Sequence, residues 1–131
     1  MATGVLVVLL GRAAKACEYV SHDEKVYEAT LRLGLTTDTE DVTGTVLTTC
    51  ETIPSFADVE NILPTFRGEI MQIPPMYSAI KVNGQKLCNL ARKGKEVERP
   101  ARTITIYALD FLGMEGADVR LRVHCSKGTY I

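Results

Sequence analysis

The sequence has no long apolar run, few histidines and no closely spaced cysteines, and each shortage removes a class of protein. The longest apolar stretch, Val5 to Leu10, is six residues, far short of the roughly 20 needed to span a bilayer. No basic stretch precedes it and no small-residue cleavage site follows it cleanly, so it is not a signal-peptide core. Cys17, Cys50, Cys88 and Cys125 stand far apart with no Cys-x-x-Cys pair, and the chain holds two histidines. That spacing argues against a metal centre and a disulfide framework, and predicts buried, reduced thiols in a cytoplasmic protein. Low-complexity segments are missing too. With 46% hydrophobic and 24% charged residues over 131 positions, neither disorder nor a fibrous repeat is expected, and one core can form without staples.

An excess of charge is also lacking. The net charge of −1 excludes a uniformly cationic polyanion binder, but the charge is unevenly spread. Between Lys81 and Arg102 stand seven cations (Lys81, Lys86, Arg92, Lys93, Lys95, Arg99, Arg102) against Glu96 and Glu98. The remainder of the chain is therefore acidic. A local basic patch on an acidic body grips phosphates selectively; a solvated charged face is the blander reading and accounts less well for the clustering.

The patterning that is present predicts a sequence of short elements. Val5 to Leu10 is continuous, β-branched and ended by Gly11, as in a buried strand. Arg12 to Val20 has helical spacing at Ala13, Ala16, Cys17 and Val20, and Ser21-His22-Asp23 breaks it. Val26 to Leu33 alternates as a strand, with Val26, Ala29, Leu31 and Leu33 set against Glu28, Thr30 and Arg32. Thr36 to Gly44 reads as a polar turn and Thr45 to Thr49 as a strand. Pro54-Ser55 opens a helix with Ser55 as N-cap, Asp58 in a near capping-box position, and Phe56, Val59, Ile62 and Leu63 on one face. Glu69 to Val82 is extended and interrupted by Pro74-Pro75; Asn83-Gly84 is a tight turn; Gln85 to Lys93 is a short basic helix stopped by Gly94. Arg102 to Phe111 and Val119 to Cys125 form a hairpin joined through Gly113 to Asp118. The class is α+β, a mostly antiparallel mixed sheet flanked by helices. Both chain ends are expected to cut through structure rather than between structures.

Familiar catalytic signatures are weak. Ser126-Lys127-Gly128-Thr129 lacks the glycines that a phosphate loop needs. Asp38-x-Glu40-Asp41 has the wrong spacing and no closing glutamate for a calcium loop, and is a turn of solvated carboxylates, packed at most under the sheet. His22 and His124 have no partner at readable distance, which favours structural roles over acid–base ones. Tyr27, Tyr77 and Tyr130 either pack in a core or stack on an unpaired base, and periodicity does not separate these readings.

Four stretches carry a resemblance. Met1-Ala2-Thr3-Gly4-Val5-Leu6, then Glu24 to Ala29 with Leu33-Gly34 and Thr37-Asp38-Thr39, then Pro74 to Lys81 with Gly84 and Leu87, and finally Cys125 to Ile131, occur in the order and spacing of one family. Together they resemble the bacterial tRNA pseudouridine synthases of the TruB type, over essentially the whole chain. The resemblance implies a part of the pseudouridine synthase fold, truncated at both ends. Residues 1–131 would be a partial catalytic domain with an RNA-gripping insertion at about 74–100. It implies isomerisation of the T-loop uridine of tRNA (tRNA position 55) to pseudouridine, with no metal or organic cofactor. An aspartate attacks the flipped-out nucleotide, and the base detaches, rotates and rejoins through carbon. Pulling the base from the stack costs a few kcal/mol and calls for apolar and aromatic walls. By this resemblance Tyr27 and Tyr130 are the catalytic residues within the chain: Tyr27 lies against the target ring and takes part in proton transfer, Tyr130 lines the same pocket, and Lys127 lies near the active site. Tyr77, Lys81 and the segment carrying Lys86, Arg92 and Lys93 fold over the tRNA T-arm.

The chain departs from the family pattern in three places. The nucleophilic aspartate belongs two positions before Met1, the arginine that pairs with it belongs after Ile131, and Val7 replaces a frequent proline. Asp23, Asp38 and Asp41 match no motif and are not candidates for the nucleophile. The chain alone is therefore expected to be inactive and to self-associate through exposed edges. Two other readings stand beside this one: a non-catalytic RNA-binding module sharing the fold, and a guide-RNA-dependent relative. Pro-Pro-Met-Tyr-Ser-Ala followed by Asn-Gly favours the stand-alone type over the latter.

Overall fold

The computed structural model describes residues 3–20, 24–82 and 84–131. Its frame is one long hairpin. Strand β7 (Arg102–Glu115) turns through Gly116 and Ala117 into β8 (Asp118–Ser126), with Glu115 opposite Asp118. The turn needs only two residues, fewer than the Gly113 to Asp118 connection predicted, because Gly116 adopts φ 58° at a position where a side chain would be strained. β1 (Glu24–Arg32) pairs with β8 along all nine of its residues, and β4 (Gly68–Gln72) pairs with β7. The order is β1-β8-β7-β4, every pairing antiparallel. β2 (Leu35–Thr37) and β3 (Val46–Thr49) form a separate ribbon, as do β5 (Lys81–Val82) and β6 (Gln85–Lys86).

The alternation of β8 sorts the faces. Val119, Leu121, Val123 and Cys125 point to the core, while Arg120, Arg122 and His124 point away. On β7 the core residues switch parity, from Ile104 and Ile106 to Leu109 and Phe111, because a bulge follows Ile106; a second bulge follows Phe111. One extra residue per bulge moves every later side chain to the other face. Helix α2 (Phe56–Ile62) and the 3-10 turn Leu63–Phe66 cover this face, burying Val59 and Leu63 and setting the Phe56 ring edge-on to Phe111 at 4.6 Å. Each such buried aliphatic side chain contributes about 1.5–3 kcal/mol. The predicted capping box is present: Ser55 Oγ accepts the Asp58 N–H at 3.3 Å, and Asp58 Oδ2 accepts the Ser55 N–H at 3.0 Å.

Several expectations need correction. Val5 to Leu10 is not a strand, and Val5 is 99% exposed. A strand exists only by pairing, and among the described residues no ladder reaches this segment. Arg12 to Val20 is helical but split into a 3-10 turn (Gly11–Ala16) and α1 (Cys17–Val20), with no buried residue. Val26 points outward with Glu28, 61% exposed, because Tyr27 takes the inward position opposite Val123. The basic helix contracts to α3 (Leu87–Ala91), since Gln85 and Lys86 pair as β6. Of the thiols only Cys125 is buried; Cys17 and Cys50 are exposed and Cys88 is intermediate. Ser21, His22, Asp23 and Asn83, with the expectations placed on them, lie outside the described residues, as do Met1 and Ala2.

Candidate RNA interface and base pocket

The basic segment folds around one anchor. Leu87 is fully buried, its N–H donates to the Ile80 carbonyl at 2.8 Å, and the Cys88 N–H donates to the Ser78 carbonyl at 3.0 Å. These bonds lash α3 to the stretch from Tyr77 to Lys81. Beyond α3 the Lys93 and Gly94 amides turn back onto Leu90 and Ala91, and Gly94 takes φ 67°. The result is an open groove of about 530 Å³ whose lining includes Lys81, Lys86, Arg92, Lys93 and Asn89 and, among the described residues, no carboxylate. All four cations are exposed, and none is ion-paired among the described residues. Four cations on one concave wall, without an ion pair among the described residues, make a locally positive surface of the kind that attracts polyanions. Sequence reasoning chose these four side chains, and the structure brings them together.

Tyr77 is not in that groove. It is 43% exposed and lines a second hollow of about 340 Å³ with Met76, Arg99 and residues of the β2–β3 turn, including Asp38. The turn is built by its carboxylates: Asp38 Oδ1 accepts the Thr45 N–H at 2.7 Å, and Asp41 Oδ1 accepts both N–H and hydroxyl of Thr43 at 2.6 Å. These bonds hold the Asp41 carboxyl below the usual carboxylate range, the Thr43 hydroxyl contributing most. Asp38, Glu40 and Asp41 are exposed rather than tucked beneath the sheet.

Tyr27 and Tyr130 are both half-buried, Tyr27 on β1 of the main sheet and Tyr130 just beyond the end of β8. Tyr27 packs against the core cluster from β1. Tyr130 follows β8, and its main chain is gripped by Gln72 of β4: Nε2 donates to the Tyr130 carbonyl at 2.8 Å and Oε1 accepts its N–H at 2.9 Å. β1 and β4 are the two edges of the sheet, about 14 Å apart at three strand spacings. The ring pairs within the described residues are Phe56–Phe111 and Tyr107–His124, and Tyr27 and Tyr130 do not form one. Lys127 is exposed in the turn that leads to Tyr130, where Thr129 Oγ1 donates to the Ser126 carbonyl at 2.8 Å. His124 lies on the outer face with Nε2 2.8 Å from Glu24 Oε2 and its ring 5.0 Å from Tyr107. It is engaged in cross-strand pairing, as the structural reading expected. Gln72 escaped sequence reasoning, because a glutamine inside an extended run carries no signal of a partner 58 residues away.

A sequence profile described as TruB family pseudouridylate synthase (N terminal domain) spans residues 1–131. This chain belongs to that family. It is 53% identical over its full length to the tRNA pseudouridine synthase B of Pseudomonas fluorescens and 50% identical to that of Clostridium kluyveri. It covers 43% and 45% of those proteins, so the chain spans less than half the length of these TruB-family relatives. Among solved structures, a chain from the crystal structure of a Cbf5-Nop10-Gar1 complex aligns with a TM-score of 0.50 at 26% identity, over 82% of this chain and 22% of that one. The α+β, antiparallel architecture thus recurs in a solved relative.

Proposed function

We propose that this TruB-family chain is part of the catalytic domain of a tRNA pseudouridine synthase, acting on the T-arm uridine in the cytoplasm. Residues 74–100 form the insertion that grips the RNA. The observation that carries the reading is the groove of Lys81, Lys86, Arg92 and Lys93, with no carboxylate among the described residues that line it, within a family match spanning the chain. Phosphate contacts there would fix the T-arm and supply a salt-dependent share of the affinity. Tyr77, which lines the neighbouring hollow, would stack on an unpaired base.

The sheet beside this insertion bears Tyr27, against the ring of the extruded uracil, with Tyr130 and Lys127 at the end of β8. Asp38 and Asp41 are committed to hydrogen bonds within the β2–β3 turn and Asp58 to the cap of α2, so none of the three is proposed as the carboxylate that attacks the nucleotide. The test is to incubate the full-length gene product with unmodified tRNA and assay pseudouridine. Turnover is expected from it and none from residues 1–131 alone. A full-length product that binds tRNA without turnover would instead make this an RNA-binding module.

A further inference from the structure

Gln72 ends β4, opposite Arg102 in the ladder. Its planar carboxamide offers one donor and one acceptor to one residue, Tyr130, at 2.8 and 2.9 Å in a partly buried setting. That is what the edge of a neighbouring strand would offer. Tyr130 needs it: the chain leaves the sheet after Ser126, turns through Gly128 at φ 82°, and Tyr130 belongs to no ladder. Two residues beyond Gln72, Pro74-Pro75 opens the segment leading to the cationic groove. One side chain therefore ties the base of that segment to the Tyr130 main chain.

We propose that Gln72 is a positioning residue that fixes Tyr130 against β4 and keeps it in register with the cationic insertion. This rests on the pseudouridine synthase reading, in which Tyr130 lines the uridine pocket. Gln72 acts through Tyr130 and touches no substrate. The amide is required by chemistry. A carboxylate still accepts the Tyr130 N–H but faces the Tyr130 carbonyl oxygen with like charge, and only its protonated form donates again.

The test uses the full-length gene product with Gln72→Ala and Gln72→Glu, read by hydrogen exchange at the Tyr130 amide and by kinetics on unmodified tRNA across pH. In Gln72→Ala, exchange at Tyr130 should quicken at least about fivefold, the loss of a net hydrogen bond, while Val119 to Cys125 keep wild-type protection. The kcat should fall about tenfold with KM for tRNA within about twofold, because the cations are untouched. Gln72→Glu should recover towards wild type as pH falls towards the carboxyl's range, near 4–5, and Gln72→Ala should not. Unchanged exchange at Tyr130, or a loss confined to KM, overturns the proposal. Absence of turnover in the wild type overturns the enzymatic reading instead, and the exchange result then judges the clamp by itself. If Gln72→Ala fails to fold, Gln72→Glu is read by the pH dependence of kcat instead, because its carboxylate still accepts the Tyr130 N–H, and a kcat equal to wild type across pH overturns the proposal.

Discussion

The Asp58 carboxylate is held by two donors from Ser55, its hydroxyl at 2.6 Å and its N–H at 3.0 Å. These bonds pull the Asp58 carboxyl below its ordinary value, the Ser55 hydroxyl acting most strongly. A carboxyl lowered on folding contributes stability that is present above its unfolded value and lost as pH falls through the folded one. Asp118, lowered chiefly by the hydrogen bond from Arg32, behaves in the same sense. The urea midpoint should therefore decline below about pH 4, and Asp58→Asn should flatten that decline; an unchanged pH profile in the variant would exclude the cap as a contributor. Ser55→Ala removes the cap and should cost about 1 kcal/mol, read as a lower midpoint at pH 7. Gly34 carries a different demand. It sits at φ 81°, and a Cβ there would lie 2.6 Å from Ile53 Cδ1 and 2.7 Å from the Cys50 carbonyl oxygen. Gly34→Ala should lower the melting temperature by several degrees, an effect on the order of 1–3 kcal/mol, and a wild-type melting curve would contradict the close approach.

At the scale of elements, the groove beside α3 makes the sharpest forecast for RNA. Replacing Lys86, Arg92 and Lys93 with alanine should weaken tRNA binding and reduce the slope of log affinity against log salt by roughly 0.7–0.9 for each phosphate no longer neutralised. A slope equal to wild type in a fluorescence titration would reduce the groove to a solvated face. Elements whose determinants are local were legible in the sequence: the Ser55-to-Asp58 cap and the alternation of β8. Elements decided by a partner were not. The apolar run from Val5 satisfies every local rule for a strand and lacks a ladder among the described residues. Gln85 and Lys86 look helical and are taken by pairing with Lys81 and Val82. The bulge after Ile106 changes which residues of β7 face the core, a shift that composition alone does not announce. The cationic site was legible because a cluster of charge between Lys81 and Arg102 survives any local rearrangement; the Gln72 grip on Tyr130 was not, because it depends on tertiary register.

The whole molecule is an open sheet, and its edges set its behaviour in isolation. β1 and β4 each present one unpaired side among the described residues, and such edges are templates for pairing with another chain. β1 is partly guarded by outward charges: Arg122 binds Glu28 at 2.7 Å and Arg32 holds Asp118 across the strand pair. β4 has less protection, with Met71 63% exposed and Ile73 just beyond its end also exposed. Val5, Leu6, Val8 and Leu10 add an unburied apolar segment, and exposed apolar surface of this kind seeks cover. Residues 1–131 expressed alone should accordingly self-associate as concentration rises, β4 being the preferred seam. Light scattering should report a mass above the monomer, and Met71→Lys should shift the equilibrium back towards it by placing like charges across the seam. A monomer at high concentration would mean that the apolar segment covers the edge within its own chain.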